Sequence, residues 1–230
     1  MTAVRAVFFD VDFTLIFPGP SMQGEGYERC CRDHGVTGVD VALFESAVAA
    51  SSFILDEVEE PIYDDSLFIH YTATIIEHLG GRGPNVIHAA RDIYRQWASN
   101  HHFELYDDVE STLEALRARG LTVGVISNSH RSLASFSEHF ALDRFITIGV
   151  SSAEHGYMKP HHSIFDAALE RAGVRADEAV MVGDSISADI EGALTAGMRA
   201  VLIRRSGERP EGLAEGVSVI FSLRELLSLI

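Results

Sequence analysis

The chain has 230 residues, 47% of them hydrophobic, which is enough to bury one substantial core and to leave residues for a second, smaller unit. A formal net charge of −16 at pH 7 argues against a protein that wraps nucleic acid or binds an anionic membrane, because both need clustered Lys and Arg. The apolar segment near the amino terminus is too short for a signal-peptide core or a membrane span, so we predict a soluble, cytoplasmic protein.

The first predicted element is a buried strand, Val4 to Phe9, composed mainly of β-branched and aromatic residues. It ends in Asp10, and Asp12 follows two residues later, so both carboxylates can point into one pocket. Like charges this close disfavour double ionisation; a divalent cation can relieve the repulsion, or one group can stay protonated and act as an acid. Both outcomes suit phosphoryl transfer, although an Asx-type turn at the strand end explains the pair equally well.

The stretch from Ile16 to about His102 has a different pattern and predicts an inserted helical unit without a convincing strand. Its helical patterns cover Glu25 to His34, Val41 to Leu55, Ser66 to Leu79 and Asn85 to Ser99. Clusters of Gly and Pro at 17–20 and 80–84 are turn-forming rather than long linkers. We therefore predict two domains: a core domain of residues 1–15 and 103–230, and a helical-bundle domain of residues 16–102.

Strand and helix patterns alternate from about residue 103 onward. Helical patterns at Val109 to Arg119 and His162 to Ala172 are each followed by glycine, and strand patterns occupy Leu121 to Ile126 and Ala179 to Val182. This alternation predicts an α/β fold: a Rossmann-like parallel sheet with helices on both faces, which binds ligands beyond the carboxyl ends of its strands. The polar residues that follow the strands should converge there.

Several of those polar residues suit phosphate chemistry. Ser127-Asn128 ends a strand, where a hydroxyl and backbone amides could cradle phosphate oxygens. Lys159, stiffened by Pro160, could neutralise a phosphoryl group, and Asp184 with Asp189 offers the hard oxygen atoms that Mg²⁺ prefers. Taken singly, these signals are weak: Asp184 or Ser185 could be a helix cap, and a lone Lys-Pro is usually a surface turn.

Together, and in this order, the four pieces resemble the motifs of the haloacid dehalogenase-like (HAD) hydrolase superfamily, in its phosphatase-like branch with a helical cap inserted after the first motif. The segment 182–189 continuing to 196–198, and Lys159-Pro160 followed by Ile164-Phe165, are particularly similar to that family. The likeness spans the core on both sides of the insert. It implies a Mg²⁺-dependent phosphohydrolase that acts on a small phosphorylated metabolite, with the insert as the cap that chooses the substrate.

The resemblance also implies a role for individual residues. Asp10 would attack phosphorus and form an aspartyl-phosphate, while Asp12 would act as the acid and then the base. The residues that would bind the phosphoryl oxygens are Ser127, the backbone at Asn128, and Lys159. The Mg²⁺ ligands would be Asp10, the Asp12 carbonyl and Asp184, with Asp189 contacting the ion through water or orienting Lys159.

Two positions depart from the family pattern. Phe13 stands where the family usually has glycine, and a bulky residue there limits the backbone angles beside the nucleophile. His161-His162 stands where the family often has a carboxylate and a proline. For these histidines we favour a surface helix terminus over a metal site.

Two other functions compete with a phosphatase. A 2-haloacid dehalogenase of the same superfamily uses the first aspartate on carbon and needs neither Mg²⁺ nor the second acid, so Asp12 argues against it. A catalytically weak phosphate-binding or phosphoacceptor protein also gathers acids and a lysine at sheet ends. The order of Ser127, Lys159 and Asp184, together with the helical insert, disfavours this alternative, whereas Phe13 leaves an inactive family member open.

Overall fold

The computed structural model describes residues 2–56, 60–207, 209–210 and 212–230. The chain divides into two compact units. The first consists of Met1–Phe17, Pro61–Tyr63 and Leu105–Ile230. The second consists of Pro18–Glu60 and Asp64–Glu104. Among the described residues, no helix combines the length and apolar character needed to cross a bilayer.

The strands, in chain order, are β1 (Ala6–Phe9), β2 (Ile16–Pro18), β3 (Phe103–Leu105), β4 (Thr122–Ser127), β5 (Ile148–Ser151), β6 (Ala179–Gly183), β7 (Arg199–Ile203) and β8 (Ser218–Ile220). Within the described residues, six of them form one sheet in the order β5-β4-β1-β6-β7-β8, and β2 pairs with β3. Every neighbouring pair of the six-stranded sheet is parallel. The predicted Rossmann-like parallel sheet is therefore confirmed.

The helices of the first unit are α6 (Val109–Ala118), α7 (Leu133–His139), α8 (Ser152–His155), α9 (His162–Ala172), α10 (Gly192–Thr195) and α11 (Leu223–Leu226), with a π-helical turn at Ile186–Glu191. Those of the second unit are α1 (Gly24–Asp33), α2 (Phe44–Ser51), α3 (Phe53–Asp56), α4 (Asp65–His78) and α5 (Val86–Gln96). The predicted helix at His162 to Ala172 has the predicted bounds. The other predicted helices and strands outside 41–55 agree within a few residues.

The sheet is covered on both faces, which explains why β1 is continuously apolar. Phe8 packs in a core cluster with Phe165 of α9 and Met181 of β6. Successive side chains of a strand point to opposite faces, and Val7 and Phe9 are as completely buried as Phe8. A strand at the centre of a parallel sheet has no solvent face, so its sequence shows an apolar run instead of alternation.

Two expectations about the insert are wrong. It contains strand residues: β2 occupies Ile16–Pro18, overlaps the Pro-Gly cluster for which the sequence predicts a turn, and has only three residues, too few to show periodicity. The single helix expected from Val41 to Leu55 is interrupted around Ser52, between α2 and α3. The Ser51 and Ser52 hydroxyls donate to carbonyls one turn back, a local bonding pattern that often bends helices.

In the second unit, α4 and α5 pack against each other, and the rings of Phe68 on α4 and Tyr94 on α5 stack with their centroids 5.7 Å apart. Cys30 and Cys31 lie on α1 and are free and buried. Burial raises the pKa of the Cys30 thiol to about 11. Low thiolate content makes these cysteines poor nucleophiles, so they act as small core residues.

Asp108, directly before α6, accepts hydrogen bonds that hold the start of α11 and the loop after β7 in place. Its Oδ2 atom accepts hydrogen bonds from Arg205 Nη1 at 2.6 Å, and from the Ser222 hydroxyl and the Leu223 backbone N–H at 2.8 Å each. Burial raises the pKa of this carboxyl, but the hydrogen bonds outweigh burial and hold the pKa below its usual value. The ionised form therefore stabilises the fold.

We expect Asp108→Asn to lower the free energy of unfolding by about 2–4 kcal/mol at pH 7, measured by urea unfolding. Because the folded-state pKa is lowered, this contribution is present above the unfolded-state pKa of about 4 and is lost as pH falls through the folded-state pKa. The gap between variant and wild type should therefore shrink in acid. Asp107→Asn, at an exposed neighbour, is the control; a similar loss in both variants would contradict the assignment.

Candidate active site

The three strands with predicted polar ends are adjacent in the sheet, because β1 lies between β4 and β6. Asp10 directly follows β1, and its backbone N–H donates to the Val182 carbonyl at 2.9 Å. Ser127 is the last residue of β4 and is buried, opposite Ser151 of β5 in register. Asp184 directly follows β6. The carboxyl edge of the sheet thus holds the polar residues that the sequence placed at strand ends.

Lys159 lies at the centre of this group and is only 4% exposed. Its Nζ atom donates to Asp10 Oδ1 and Asp189 Oδ1, each at 2.6 Å, and to the Ile126 carbonyl at 2.9 Å. An ammonium group has three N–H donors, and these contacts engage all of them. Lys159 is therefore held in one orientation, between two carboxylates that are far apart in the sequence.

Asn128 fixes the backbone of Lys159. The Asn128 side-chain amide donates to the Lys159 carbonyl at 2.8 Å, and the Lys159 backbone N–H donates to Asn128 Oδ1 at 2.7 Å. This reciprocal pair of hydrogen bonds joins the loop after β4 to the loop between α8 and α9, which carries Lys159. The side chain of Asn128 is consequently engaged in positioning Lys159, and its expected contact with phosphate involves the backbone.

Asp189 approaches the sheet so closely that Gly183 cannot carry a side chain. A Cβ atom at Gly183 would lie 2.2 Å from Asp189 Oδ2. The same Oδ2 atom accepts a hydrogen bond from the Ser185 backbone N–H at 3.0 Å. Oxygen atoms of Asp10, Asp184 and Asp189 all lie within 4.8 Å of one another, so these three acids form one cluster.

The cluster carries more negative than positive charge. Burial, and then the neighbouring charge of Asp189, raises the pKa of Asp184 to about 7. Burial also raises the pKa of Asp10 against the lowering effect of Lys159, and nearby acids add to it. Burial lowers the pKa of Lys159, but Asp10 and Asp189 outweigh it and raise the pKa above its usual value. One ammonium facing three carboxylates leaves an excess that a divalent cation would neutralise.

Asp12 has a cationic partner that the sequence alone does not reveal. Arg131 Nη1 donates to both carboxylate oxygens of Asp12, at 3.0 and 3.2 Å. The Arg131 side chain is 1% exposed and the Asp12 side chain 23%. The only available sequence signal was an arginine four residues after Ser127, in a loop that follows a polar strand end.

Phe13 adopts the left-handed backbone conformation that glycine usually provides, with φ of 60°. Its backbone N–H donates to the Ile16 carbonyl at 2.7 Å, which closes the tight loop after the nucleophile candidate. The side chain is 44% exposed. The departure from glycine therefore leaves the loop closed, at a backbone cost of about 1 kcal/mol.

Substitutions at Phe13 should separate backbone strain from side-chain effects. Asparagine tolerates φ near +60°, whereas a β-branched residue does not, so we expect Phe13→Val to unfold at a lower urea concentration than Phe13→Asn. The difference should be about 1–2 kcal/mol. Equal midpoints would contradict the conformation assigned to this loop.

The paired histidines lie at the amino terminus of α9. His161 is the capping residue, and its Nδ1 atom accepts from the Ser163 backbone N–H at 3.2 Å. Its ring stacks on Tyr157 at 4.2 Å between centroids. His162 pairs with Asp166 one turn along the helix. Both histidines thus have contacts expected of a helix terminus.

A short segment of the first unit, Pro61–Tyr63, pairs with the loop that carries Lys159, and the sequence did not indicate this pairing. The Met158 backbone N–H donates to the Pro61 carbonyl at 2.7 Å, and the Tyr63 N–H donates to the Gly156 carbonyl at 2.9 Å. Ile62 thereby forms a β-bridge with Tyr157. Three residues without periodicity give no signal for such pairing, which depends only on tertiary structure.

Comparison with known proteins agrees with these features. A family model described as "Haloacid dehalogenase-like hydrolase" matches residues 62–203. A glyceraldehyde 3-phosphate phosphatase of Methanopyrus kandleri is 31% identical over 204 residues, covering 88% of this chain and 84% of that protein. A ribulose-1,5-bisphosphate 5-phosphatase of Halopiger xanaduensis is 28% identical, covering 88% of this chain and 86% of that protein.

The crystal structure of a 2-haloacid dehalogenase from Pseudomonas syringae pv. Tomato is also similar, with a TM-score of 0.65 and 26% identity, covering 98% of this chain and 97% of that chain. The family model spans more than half of the sequence, and the Methanopyrus kandleri phosphatase is more than 30% identical over most of the chain. The chain therefore belongs to the haloacid dehalogenase-like hydrolases.

Proposed function

We propose that this hydrolase is a Mg²⁺-dependent phosphatase of small phosphorylated metabolites, with Asp10 as its nucleophile. One observation carries the proposal: the cluster of Asp10 and Asp189, which are buried, with Asp184, which is half-buried. Oxygen atoms of the three lie within 4.8 Å of one another, and Asp10 and Asp189 share Lys159. The relatives named as phosphatases of sugar and triose phosphates support the same class of substrate.

The donor set fits Mg²⁺, which prefers a few carboxylates together with water and phosphate oxygens. Asp10, Asp184 and the main-chain carbonyl of Asp12 would hold the ion, and Asp189 would orient Lys159, with which it shares a 2.6 Å hydrogen bond. Bound there, Mg²⁺ would supply positive charge that offsets the negative charge of the phosphoryl oxygens. The excess of carboxylates over ammonium groups supports a divalent rather than a monovalent ion.

Asp10 performs the first displacement. Lys159 occupies Oδ1 of Asp10, which leaves the second oxygen of the carboxylate able to attack phosphorus. As that oxygen bonds to phosphorus, the bond from phosphorus to the ester oxygen breaks. Asp12, starting protonated, gives its proton to the departing oxygen, so the alcohol leaves neutral and Asp10 carries the phosphoryl group.

Water completes the cycle. Asp12, now a carboxylate, takes a proton from a water molecule as the water oxygen attacks phosphorus. The bond between phosphorus and the Asp10 oxygen breaks, inorganic phosphate is released, and Asp12 is protonated again. In both displacements, Lys159, Ser127 and the backbone at Asn128 stabilise the charge spread over the phosphoryl oxygens.

The domain limits belong to the same proposal. We assign residues 1–15 and 103–230 to the catalytic core domain and residues 16–102 to a helical cap domain that selects the substrate. A cap of this kind can exclude water from the reaction.

The test is phosphate release from a panel of small phosphate esters that includes triose and pentose phosphates, with Mg²⁺ or with a chelator. We expect hydrolysis with Mg²⁺ and none after chelation. Release that is unaffected by the chelator would overturn the metal assignment, and no release from any ester would overturn the phosphatase assignment.

The two alternative functions, a dehalogenase and a phosphoacceptor protein, can be tested with the same purified protein. The similarity to a 2-haloacid dehalogenase favours a test of halide release from 2-chloropropionate, for which we expect no activity. A phosphoacceptor protein would take up about one phosphoryl group per chain and release it slowly. Many turnovers per chain in the ester assay would exclude that alternative.

A further inference from the structure

The pairing of Asp12 with Arg131 has no place in the chemistry described so far. The two residues are 119 positions apart in sequence, and Arg131 Nη1 lies 3.0 and 3.2 Å from the two oxygens of Asp12. The arginine side chain is 1% exposed, whereas that of the aspartate is 23% exposed. Burying a guanidinium group costs free energy unless its charge is paired, so the folded state requires this contact with Asp12.

The backbone around Arg131 is also fixed. Its N–H donates to the Ser129 hydroxyl at 2.9 Å, and the Ser132 side chain accepts from the Ser135 N–H at the start of α7. This loop follows β4, which pairs directly with β1, the strand that leads to Asp12. The guanidinium group is therefore presented from a rigid neighbouring loop and does not reach Asp12 through a flexible surface side chain.

Arg131 holds both oxygens of Asp12 through a single nitrogen atom. Nη1 contacts both oxygens and the Asp12 side chain remains 23% exposed, so the carboxylate oxygens keep lone pairs for other partners. An acid or base must lie within hydrogen-bond reach of the reacting oxygen, and small displacements reduce the rate strongly. A buried arginine that holds both oxygens restricts the carboxylate to one orientation.

We infer that Arg131 is a positioning residue that orients the Asp12 carboxylate for proton transfer to the departing alcohol. The inference rests on the proposed phosphatase function. It predicts that loss of Arg131 lowers kcat/KM, which covers the steps up to alcohol departure, only for esters whose leaving group needs a proton from Asp12. A purely structural arginine, or one that binds phosphate, would affect all esters alike.

The test compares two esters in wild-type protein and in Arg131→Met. An alkyl phosphate has a poor leaving group that needs protonation, whereas 2,4-dinitrophenyl phosphate has a leaving group that departs as an anion. We measure kcat/KM, which reports the steps up to alcohol departure. Since general acid catalysis contributes about 100-fold or more, we expect about a 100-fold loss on the alkyl ester and less than about a 3-fold loss on the aryl ester.

Three further variants control for folding and for the route of the effect. Arg131→Lys keeps the buried charge, and we expect it to recover part of the alkyl-ester rate. Asp12→Asn should show the same ester dependence as Arg131→Met, and adding Arg131→Met to Asp12→Asn should cause no further loss on either ester. Thermal unfolding of each variant above the assay temperature establishes that folded proteins are compared.

The outcomes separate the inference from the function on which it rests. Equal losses on the two esters in both Arg131→Met and Arg131→Lys would overturn the positioning role, as would an additional loss when Arg131→Met is placed in Asp12→Asn. If wild-type protein hydrolysed neither ester, the phosphatase assignment itself would fail. Ester-dependent losses, with no additional effect in the Asp12→Asn background, would establish Arg131 as acting through Asp12.

Discussion

Asp10→Asn is expected to reduce phosphate release at least about 1,000-fold, which corresponds to about 4 kcal/mol of transition-state free energy. An amide is a poor nucleophile towards phosphorus, and the second oxygen of the carboxylate, which would attack, is replaced or neutralised. The measurement is kcat on the best ester of the panel with saturating Mg²⁺. Undiminished release by this variant would refute the assigned nucleophile.

The same variant should remain folded, which separates a lost nucleophile from a lost fold. Burial raises the pKa of Asp10, and three neighbouring acids add to the effect, so the ionised carboxylate is unfavourable in the metal-free folded state above its unfolded-state pKa. Asparagine removes that cost, and Lys159 keeps its 2.6 Å contact with Asp189. We expect equal or higher unfolding midpoints without Mg²⁺. Asp166→Asn, on an exposed part of α9, is the matched control for activity.

The covalent intermediate can be detected directly. In Asp12→Asn, the water step lacks its base, so an aspartyl-phosphate formed from an aryl ester should accumulate to about one phosphoryl group per chain. Mass spectrometry of the intact protein measures it. Its presence in Asp12→Asn and its absence from the double variant with Asp10→Asn would place the phosphoryl group on Asp10; accumulation in both would place it elsewhere.

Lys159→Met is expected to lower the free energy of unfolding by about 3–5 kcal/mol in the absence of Mg²⁺, and to abolish hydrolysis. The substitution leaves Asp10 and Asp189 buried without the cation that each contacts at 2.6 Å. Adding Mg²⁺ should restore part of the stability but not the activity. Urea unfolding with and without the ion measures the first effect, and phosphate release measures the second.

The double variant Lys159→Met with Asp189→Asn tests the electrostatic cause. Removing both members of the pair should recover stability relative to Lys159→Met alone, while hydrolysis stays absent. No recovery would mean that packing around the lysine stem, rather than its charge, explains the loss.

Lys159 is the only lysine in the sequence, so ¹⁵N-lysine labelling gives a single ammonium resonance. Since the pKa of Lys159 is raised, this resonance should persist above pH 10.

The sequence was sufficient for the fold class and for the positions of the polar strand ends. An uninterrupted apolar run such as β1 reports burial on both faces of a sheet, and alternation of strands with helices such as α9 reports parallel connections. The short strand β2 and the break near Ser52 were missed, because three residues carry no period and because serine hydroxyls compete locally with the helix.

The family resemblance implied catalytic roles for Asp10, Asp12 and Lys159. It gave no information about the hydrogen-bond partners of these side chains. The tertiary structure decided that Lys159 is shared by Asp10 and Asp189, and that Asn128 holds the Lys159 backbone. These partners are 149, 30 and 31 residues apart along the chain. Local hydrophobic patterns specify elements, whereas hydrogen-bond partners depend on the order of strands in the sheet.

The sequence by itself therefore determined a parallel α/β core with acids at its carboxyl edge, since the burial of each strand is encoded in its own residues. Only the tertiary structure decided that Arg131 pairs with Asp12, because charge pairing in a buried site depends on which loops become neighbours once β1 and β4 are adjacent.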